Sequence, residues 1–381
     1  MKKKIICALL SALLVVSLLT GCGEGDASSS DIQTGDTSQS EHAGKEPTRN
    51  PEYDTRMQSP FLDQSYLSDK NPLVSDMSWE SYYIQVAPAY DTADAASYIS
   101  DMPSVRSLID TANDSAGLNC FGASRPSDVS LQALQSEIDK LSADNHKVSL
   151  IMVDLSTKSG VGYCSDIPMC TQSTVKSVYV GSLIRDNPQA LADNGQLMHD
   201  AIVFSSNPAY DKLRELYGSD CLVKWCEEVG VDPGFATERN YPRSYNARDM
   251  LKLWTRLYCF FNSGEDVSNF GAYYADTSCS ATKKQLGDRY PVQTKAGWES
   301  GVYEDQNYSS ANIVTDEYTD GNPENNECAI NDTGVVYTLQ GPYLFVIYTN
   351  LPFGVYKDYV TENPLYDLTE ALFNVQQSLH E

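Results

Sequence analysis

Apolar residues change their spacing along the chain, and each spacing predicts a different kind of element. Over residues 131–141 they recur every three or four positions, which predicts an amphipathic helix. Residues 148–155 are almost continuously apolar and predict a buried strand, which turns into a second strand at 161–163. The regularly patterned part of the chain therefore begins with a helix that is followed by a hairpin.

The later pattern completes an alternation of helices and strands. Helical spacing dominates from 171 to about 262, three apolar strands follow at 292–298, 334–340 and 343–349, and an amphipathic helix spans 365–379. Elements in this order predict an α/β (α+β) sandwich. Its antiparallel sheet is flanked by the two terminal helices, and an all-helical block is inserted between its strands.

The first residues have the pattern of an export signal. Three lysines precede an apolar run, residues 5–19, which is too short to read as a bilayer span. The run closes with Leu19, Thr20, Gly21 and Cys22, a sequence that looks like a bacterial lipobox. That resemblance implies cleavage before Cys22 and lipid on its sulfur, and two or more acyl chains anchor a protein stably. The alternative is an ordinary signal peptide with a chance cysteine.

Composition divides the chain into four parts. Residues 1–21 are the predicted lipoprotein signal peptide, and residues 22–59 form a predicted flexible acidic tether with almost no apolar side chains. Residues 60–128 are expected to be a partly ordered N-terminal extension, and residues 129–381 the main domain. We interpret the acidic run at 304–332 as a solvated loop between late strands, with a wall of the functional cleft as the alternative.

The chain is strongly acidic, with a formal net charge of −25 at pH 7. Phosphate binding needs basic surface, so this charge argues against nucleic acid as a partner. Only four histidines occur and the cysteine spacings do not match a zinc site, so we expect no metal and no cofactor. Apart from Cys7 and Cys22 there are eight cysteines, whose pairing is left open: Cys120, Cys164, Cys170, Cys221, Cys226, Cys259, Cys279 and Cys328.

Ser173 and Lys176 form a Ser-x-x-Lys motif at the start of the helical block. A serine hydroxyl is a poor nucleophile and needs a base within hydrogen-bond reach. Positions i and i+3 share one face of a helix, so Lys176 can bring its amine to the oxygen of Ser173. A lysine acts as a base near neutral pH only when burial or a second cation lowers its pKa, and Lys295 can supply that cation.

Two further motifs follow in the chain, first Ser205 with Asn207 and then Lys295, Ala296 and Gly297. In this order and spacing, the three motifs resemble the active-site signature of the penicillin-recognising serine hydrolases. This class A β-lactamase-like superfamily includes β-lactamases and D-alanyl-D-alanine peptidases. The resemblance covers about two thirds of the chain and implies the same sandwich fold.

The resemblance also implies a role for each motif residue. Ser173 is the nucleophile, Lys176 is its base, and Ser205 relays a proton to the leaving nitrogen. Asn207 holds the side-chain amide of the substrate, and Lys295 supplies charge for its carboxylate.

On the third motif, Gly297 leaves room for the substrate backbone. The resemblance also implies that the amide hydrogens of Ser173 and Trp298 form the oxyanion hole. Two departures concern activity: Ala296 stands where the family has Thr or Ser, and Glu238 is the one candidate, in a short loop, for a base that activates the deacylating water. The alternative for Glu238 is a solvated loop residue without a catalytic part.

We therefore expect a membrane-tethered extracytoplasmic serine hydrolase that forms an acyl-serine with β-lactams or peptidoglycan-type peptides. Its expected location is the outer face of a bacterial cell membrane, with a lipid anchor, and its expected state is a monomer. The alternative is a catalytically weak or inactive surface lipoprotein that retains the fold and acts as a binding protein.

Overall fold

The computed structural model describes residues 92–143, 146–237, 240–242, 244–266, 268–277, 279–299, 329–351 and 363–381. The lipobox with Cys22, the tether, Glu238 and most of the acidic run lie outside the described residues. Predictions for those residues remain predictions.

Helices alternate with strands along the described chain, and two short 3₁₀ helices lie at Gln172–Thr174 and Phe270–Asp276. In chain order the elements are α1 (Thr92–Ile109), β1 (Asn119–Gly122), α2 (Asp128–Leu141), β2 (Val148–Asp154), β3 (Ser159–Tyr163), α3 (Val175–Asp186), α4 (Gln189–Val203), α5 (Asn207–Tyr217), α6 (Asp220–Val229), α7 (Gly234–Thr237), α8 (Ala247–Asn262), α9 (Ala281–Leu286), β4 (Val292–Glu299), β5 (Ala329–Thr338), β6 (Gly341–Thr349) and α10 (Leu365–Ser378).

The strands form one sheet in the order β1-β3-β2-β6-β5-β4, and every neighbouring pair is antiparallel. The helices α3 to α8 lie between β3 and β4 in the sequence, which makes them the predicted helical block. The predicted fold class, an antiparallel sheet with terminal helices and an inserted helical block, is confirmed. Among the described strands β4 lies at one edge of the sheet, where the third motif is placed.

Each face of the sheet has its own apolar core. On β2, Ile151 and Val153 pack with the helical block, whereas Leu150 and Met152 pack with the terminal helices α2 and α10. Successive side chains of a strand point to opposite faces, so a strand that is covered on both faces needs a near-continuous apolar run. This is the physical reason for the pattern at residues 148–155.

The predicted N-terminal extension contributes to this architecture. Helix α1 packs Met102, Val105 and Ile109 into the core of the helical block, and β1 pairs with β3 as a strand of the sheet. The acidic run also differs from the expectation at its end, because residues 329–332 belong to β5 rather than to a loop. Among the described residues, no helix combines the length and apolar character that crossing a bilayer requires.

Candidate active site

Ser173 lies in the 3₁₀ turn that leads directly into α3, and its side chain is buried apart from 8% of its surface. The turn is tied to a distant loop, because the backbone and the hydroxyl of Thr171 each donate a hydrogen bond of 3.0 Å to the carbonyl of Pro242. Thr171 therefore anchors this turn instead of capping the helix. Within the described part of the chain, the hydroxyl of Ser173 makes no hydrogen bond.

Lys176 is fully buried in the first turn of α3. Its ammonium donates to the carbonyl oxygen of Ser205 and to Oδ1 of Asn207, each at 2.6 Å. Burial lowers the pKa of Lys176 well below its usual value, the charge of Lys295 lowers this pKa further, and Asp211 partly opposes the shift. A lowered pKa favours the neutral amine, the form in which lysine accepts a proton.

The hydroxyl of Ser205 lies between two buried amines. Nζ of Lys295 donates to Oγ of Ser205 at 2.8 Å, and Nζ of Lys176 lies 3.4 Å from the same oxygen. Ser205 has a backbone φ of 56°, a left-handed conformation that is strained for a residue with a side chain. Strain of this kind persists where the surrounding structure holds a residue in place, and here it sets the hydroxyl between the two lysines.

Lys295 reaches this hydroxyl from β4, on the other side of the site from α3. Burial lowers its pKa to about 7, and the nearby Cys279 and Asp332 partly oppose the shift. A lysine with a pKa near 7 exchanges its proton readily at neutral pH, and in the protonated form it is a cation for a substrate carboxylate.

Strand β4 also touches the 3₁₀ turn that holds Ser173. A Cβ placed on Gly297 would lie 2.9 Å from the backbone nitrogens of both Ser173 and Thr174, so any side chain at 297 would push the strand away from the turn. Trp298 follows on the same strand, with its ring 5.8 Å from Nζ of Lys295. Ala296 is fully buried and pairs across strands with Asp332.

The tertiary structure thus brings together the motif residues predicted from the sequence. Hydrogen bonds join four of them, Lys176, Ser205, Asn207 and Lys295, into one cluster. Gly297 allows β4 to lie close to the backbone amide of Ser173. The position of Glu238 lies outside the described residues, so its predicted part in deacylation stays a prediction.

Two residues of β5 that the sequence analysis missed support the site from behind. Nδ2 of Asn331 donates to the carbonyl of Cys170 at 2.8 Å, which fixes the chain just before the 3₁₀ turn that holds Ser173. Asp332 is buried and accepts hydrogen bonds of 2.9 Å from Ser280 Oγ and from the backbone of Thr282, while burial raises its pKa to about 6. Both lie at the end of the acidic run, and that composition concealed their buried positions.

Tyr241 is a further residue that the sequence did not single out. Its hydroxyl donates to Oδ1 of Asn207 at 2.9 Å, and its ring centre lies 5.4 Å from Nζ of Lys176. The neighbouring Asn240 donates through its side chain to Asp211 at 2.8 Å. These contacts join segments about thirty positions apart in the sequence, and no local pattern signals such a pairing.

One family model matches part of the chain. Residues 181–359 match the β-lactamase enzyme family, a span that contains the second and third motifs and begins shortly after Lys176. A search of curated proteins found no match.

Several solved structures are similar to the chain. A β-lactamase from Streptomyces albus G is 16% identical with a TM-score of 0.44, over 63% of this chain and 99% of that one. A class A β-lactamase representative from Bacteroides cellulosilyticus is 14% identical with a TM-score of 0.46, over 65% of this chain and 99% of that one. A class A β-lactamase from Mycobacterium abscessus is 13% identical with a TM-score of 0.45, over 65% of this chain and 100% of that one.

Proposed function

We propose that this chain is a serine hydrolase of the β-lactamase-like superfamily and that it forms an acyl-serine at Ser173 with β-lactams or with peptidoglycan-type peptides. One observation carries the proposal: the hydroxyl of Ser205 lies between the buried amines of Lys176 and Lys295. Two buried lysines with lowered pKa values around one hydroxyl form a proton-transfer system.

In the proposed acylation, neutral Lys176 takes the proton of the Ser173 hydroxyl while that oxygen forms a bond to the substrate carbonyl carbon. The bond from this carbon to nitrogen then breaks, and the proton passes from Lys176 through the Ser205 hydroxyl to the leaving nitrogen. Lys176 has to release an acceptor it now holds in order to reach Ser173. Catalytic hydrogen bonds of this kind often form fully only when substrate is bound.

Binding groups surround this proton path. The protonated form of Lys295 attracts a substrate carboxylate, and Asn207 donates from its amide nitrogen to a carbonyl of the substrate. The backbone amides of Ser173 and Trp298 stabilise the oxyanion, a contribution of about 2.7–4 kcal/mol for each donor. The close approach of Gly297 to the Ser173 amide supports this arrangement.

The fate of the acyl-enzyme divides the proposal into two activities. If Glu238 activates a water, the ester is hydrolysed and the protein acts as a β-lactamase. Without such a base the ester is long-lived, as in a penicillin-binding peptidase. The second candidate, a binding protein with little catalysis, is favoured by Ala296, whose methyl group cannot offer the hydroxyl that the family places there.

A fluorescent penicillin followed over time, beside turnover of a chromogenic cephalosporin, tests the proposal. We expect covalent labelling of the wild type and none of Ser173→Ala, because the ester oxygen is lost. Ser177→Ala is the matched control: this buried serine lies in α3, four positions after Ser173, and its hydroxyl donates to the Thr174 carbonyl, its one hydrogen bond among the described residues. It should label like the wild type.

Each outcome of this experiment has a meaning. Rapid cephalosporin turnover identifies a lactamase, and persistent label without turnover identifies a peptidase-like protein. Failure of a broad serine-reactive probe to label the wild type would support the binding protein. Labelling that is unchanged in Ser173→Ala would contradict the proposed nucleophile.

We also propose that the protein is lipidated at Cys22 and held as a monomer at the outer face of the cell membrane. The support is the basic, apolar leader that closes on a lipobox-like sequence. A Cys22→Ala variant should then lose lipid labelling and membrane association in cell fractionation. Membrane association that is unchanged in this variant would contradict the anchor.

A further inference from the structure

The side-chain amide of Asn207 accepts two hydrogen bonds on the same oxygen. Nζ of Lys176 donates to Oδ1 at 2.6 Å, and the hydroxyl of Tyr241 donates to it at 2.9 Å. An amide oxygen has two lone pairs, and both are used here. With its oxygen held in this way, the amide has one orientation, and its NH₂ group is directed away from both donors.

Tyr241 is itself fixed from both sides along the chain. The hydroxyl of Tyr210 donates to the carbonyl of Asn240 at 2.9 Å, and the carbonyl of Pro242 accepts the two hydrogen bonds of Thr171. The ring of Tyr241 is 4% exposed and its centre lies 5.3 Å from that of Tyr210. The phenol therefore has little freedom to leave Asn207.

We propose that Tyr241 is a positioning residue: its hydroxyl holds the Asn207 amide so that the NH₂ group donates to a carbonyl in the side chain of the substrate. The inference rests on the proposed function, in which Asn207 binds the side-chain amide of the substrate, and adds the part played by Tyr241. Tyr241 acts through Asn207 and does not contact the reacting atoms.

The second hydrogen bond matters because the first one comes from the base. Lys176 gains and loses a proton in each acylation, and it faces Lys295 from β4, Asp211 from α5 and the rings of Tyr210 and Tyr241. When Lys176 turns toward the nucleophile, its bond to Asn207 breaks. The phenol, which is uncharged, keeps the amide oriented throughout this change.

Tyr241→Phe tests the proposal, since it removes the hydroxyl and keeps the ring beside Lys176. Tyr179→Phe is the matched control, because within the described part of the chain that buried hydroxyl donates to the backbone carbonyls of Leu213 and Gly218 and makes no hydrogen bond to Asn207. Acylation kinetics are measured with benzylpenicillin, which has an acylamino side chain, and with 6-aminopenicillanic acid, which has a free amine there.

We expect Tyr241→Phe to weaken benzylpenicillin binding before acylation by about threefold to tenfold, the size of one net hydrogen bond. The first-order acylation step should change little, and 6-aminopenicillanic acid should react within about twofold of the wild type. Tyr179→Phe should bind both compounds and be acylated by them as the wild type is. An equal loss with both compounds, or no loss with either, would overturn the proposal.

A crystal structure of Tyr241→Phe provides a readout that does not depend on acylation. The Asn207 side chain should be displaced or occupy two orientations, and an Asn207 unchanged from the wild type would overturn the proposal. Failure of the proposed function is recognised separately, because in that case the wild type itself forms no acyl-enzyme at Ser173.

Discussion

Buried lysines occur both in the candidate active site and in helices α8 and α9, but their electrostatic surroundings differ. Lys252 on α8 lies 2.5 Å from a carboxylate oxygen of Asp110, and Lys283 on α9 lies 2.8 Å from one of Asp276. In these two places a buried cation is neutralised by an acid. The role of such an ion pair is structural.

Lys176 and Lys295 are buried more completely and are not neutralised in this way. Their ammonium groups donate to carbonyl, hydroxyl and amide oxygens, and neither forms an ion pair with a described carboxylate. An uncompensated charge is costly to bury, so the free energy cost appears as a lowered pKa in both. Among the described residues, the two lysines therefore differ from Lys252 and Lys283 in having no paired carboxylate, and we propose that this difference prepares them for proton transfer.

The largest expected effect is on the acylation rate, and it tests the two active-site lysines. Lys176→Met keeps the length and the apolar stem of the side chain but removes the amine. We expect the acylation rate of Ser173 to fall by about 10²- to 10⁴-fold, the range that general base catalysis contributes. The free energy of unfolding should change by less than about 1 kcal/mol, because removal of a desolvated amine and loss of its hydrogen bonds to Ser205 and Asn207 act in opposite directions. Stopped-flow labelling and chemical denaturation measure the two quantities.

Lys283→Met is the matched control, because it removes a buried lysine that has an acid partner. Loss of the amine leaves Asp276, whose side chain is 13% exposed, without its ion-pair partner. We expect the free energy of unfolding to fall by about 1–3 kcal/mol while acylation persists. If Lys176→Met were instead the more destabilising of the two, the contrast between the regions would be wrong.

A smaller effect sharpens the comparison through pH. The pKa of Lys295 is about 7 in the folded protein, below the value of about 10.4 for an unfolded chain. Between these two pH values the unfolded chain binds more protons, so the free energy of unfolding rises with pH, by up to about 1.4 kcal/mol per unit. Below about pH 7 the lysine is charged in both states and this contribution to the slope disappears.

The measurement is chemical denaturation of the wild type and of Lys295→Met at several pH values between about 7 and 10. The slope of unfolding free energy against pH should be smaller in the variant. Some slope should remain, because the lowered pKa of Lys176 acts with the same sign. Identical slopes in the two proteins would mean that folding does not lower the pKa of Lys295.

The sequence predicted most of the fold because local periodicity follows burial. Predicted strands at 148–155, 292–298 and 343–349 match β2, β4 and β6 to within a residue or two. For β2 and β6 the reason is that a strand covered on both faces requires an apolar run. The sequence pattern placed the segment before residue 129 outside the main domain, although β1 is a strand of the sheet. That strand has one buried residue, Phe121, and so carries little pattern.

The sequence by itself determined which residues are candidates for the chemistry, because Ser173, Lys176, Ser205, Asn207 and Lys295 lie in short motifs whose order is a property of the chain. Only the tertiary structure decided that Tyr241 bonds Asn207 and that, among the described residues, neither Lys176 nor Lys295 forms an ion pair. Hydrogen bonds between remote segments and the loss of water around a charge depend on how the chain packs in three dimensions, and neither leaves a periodic trace in the sequence.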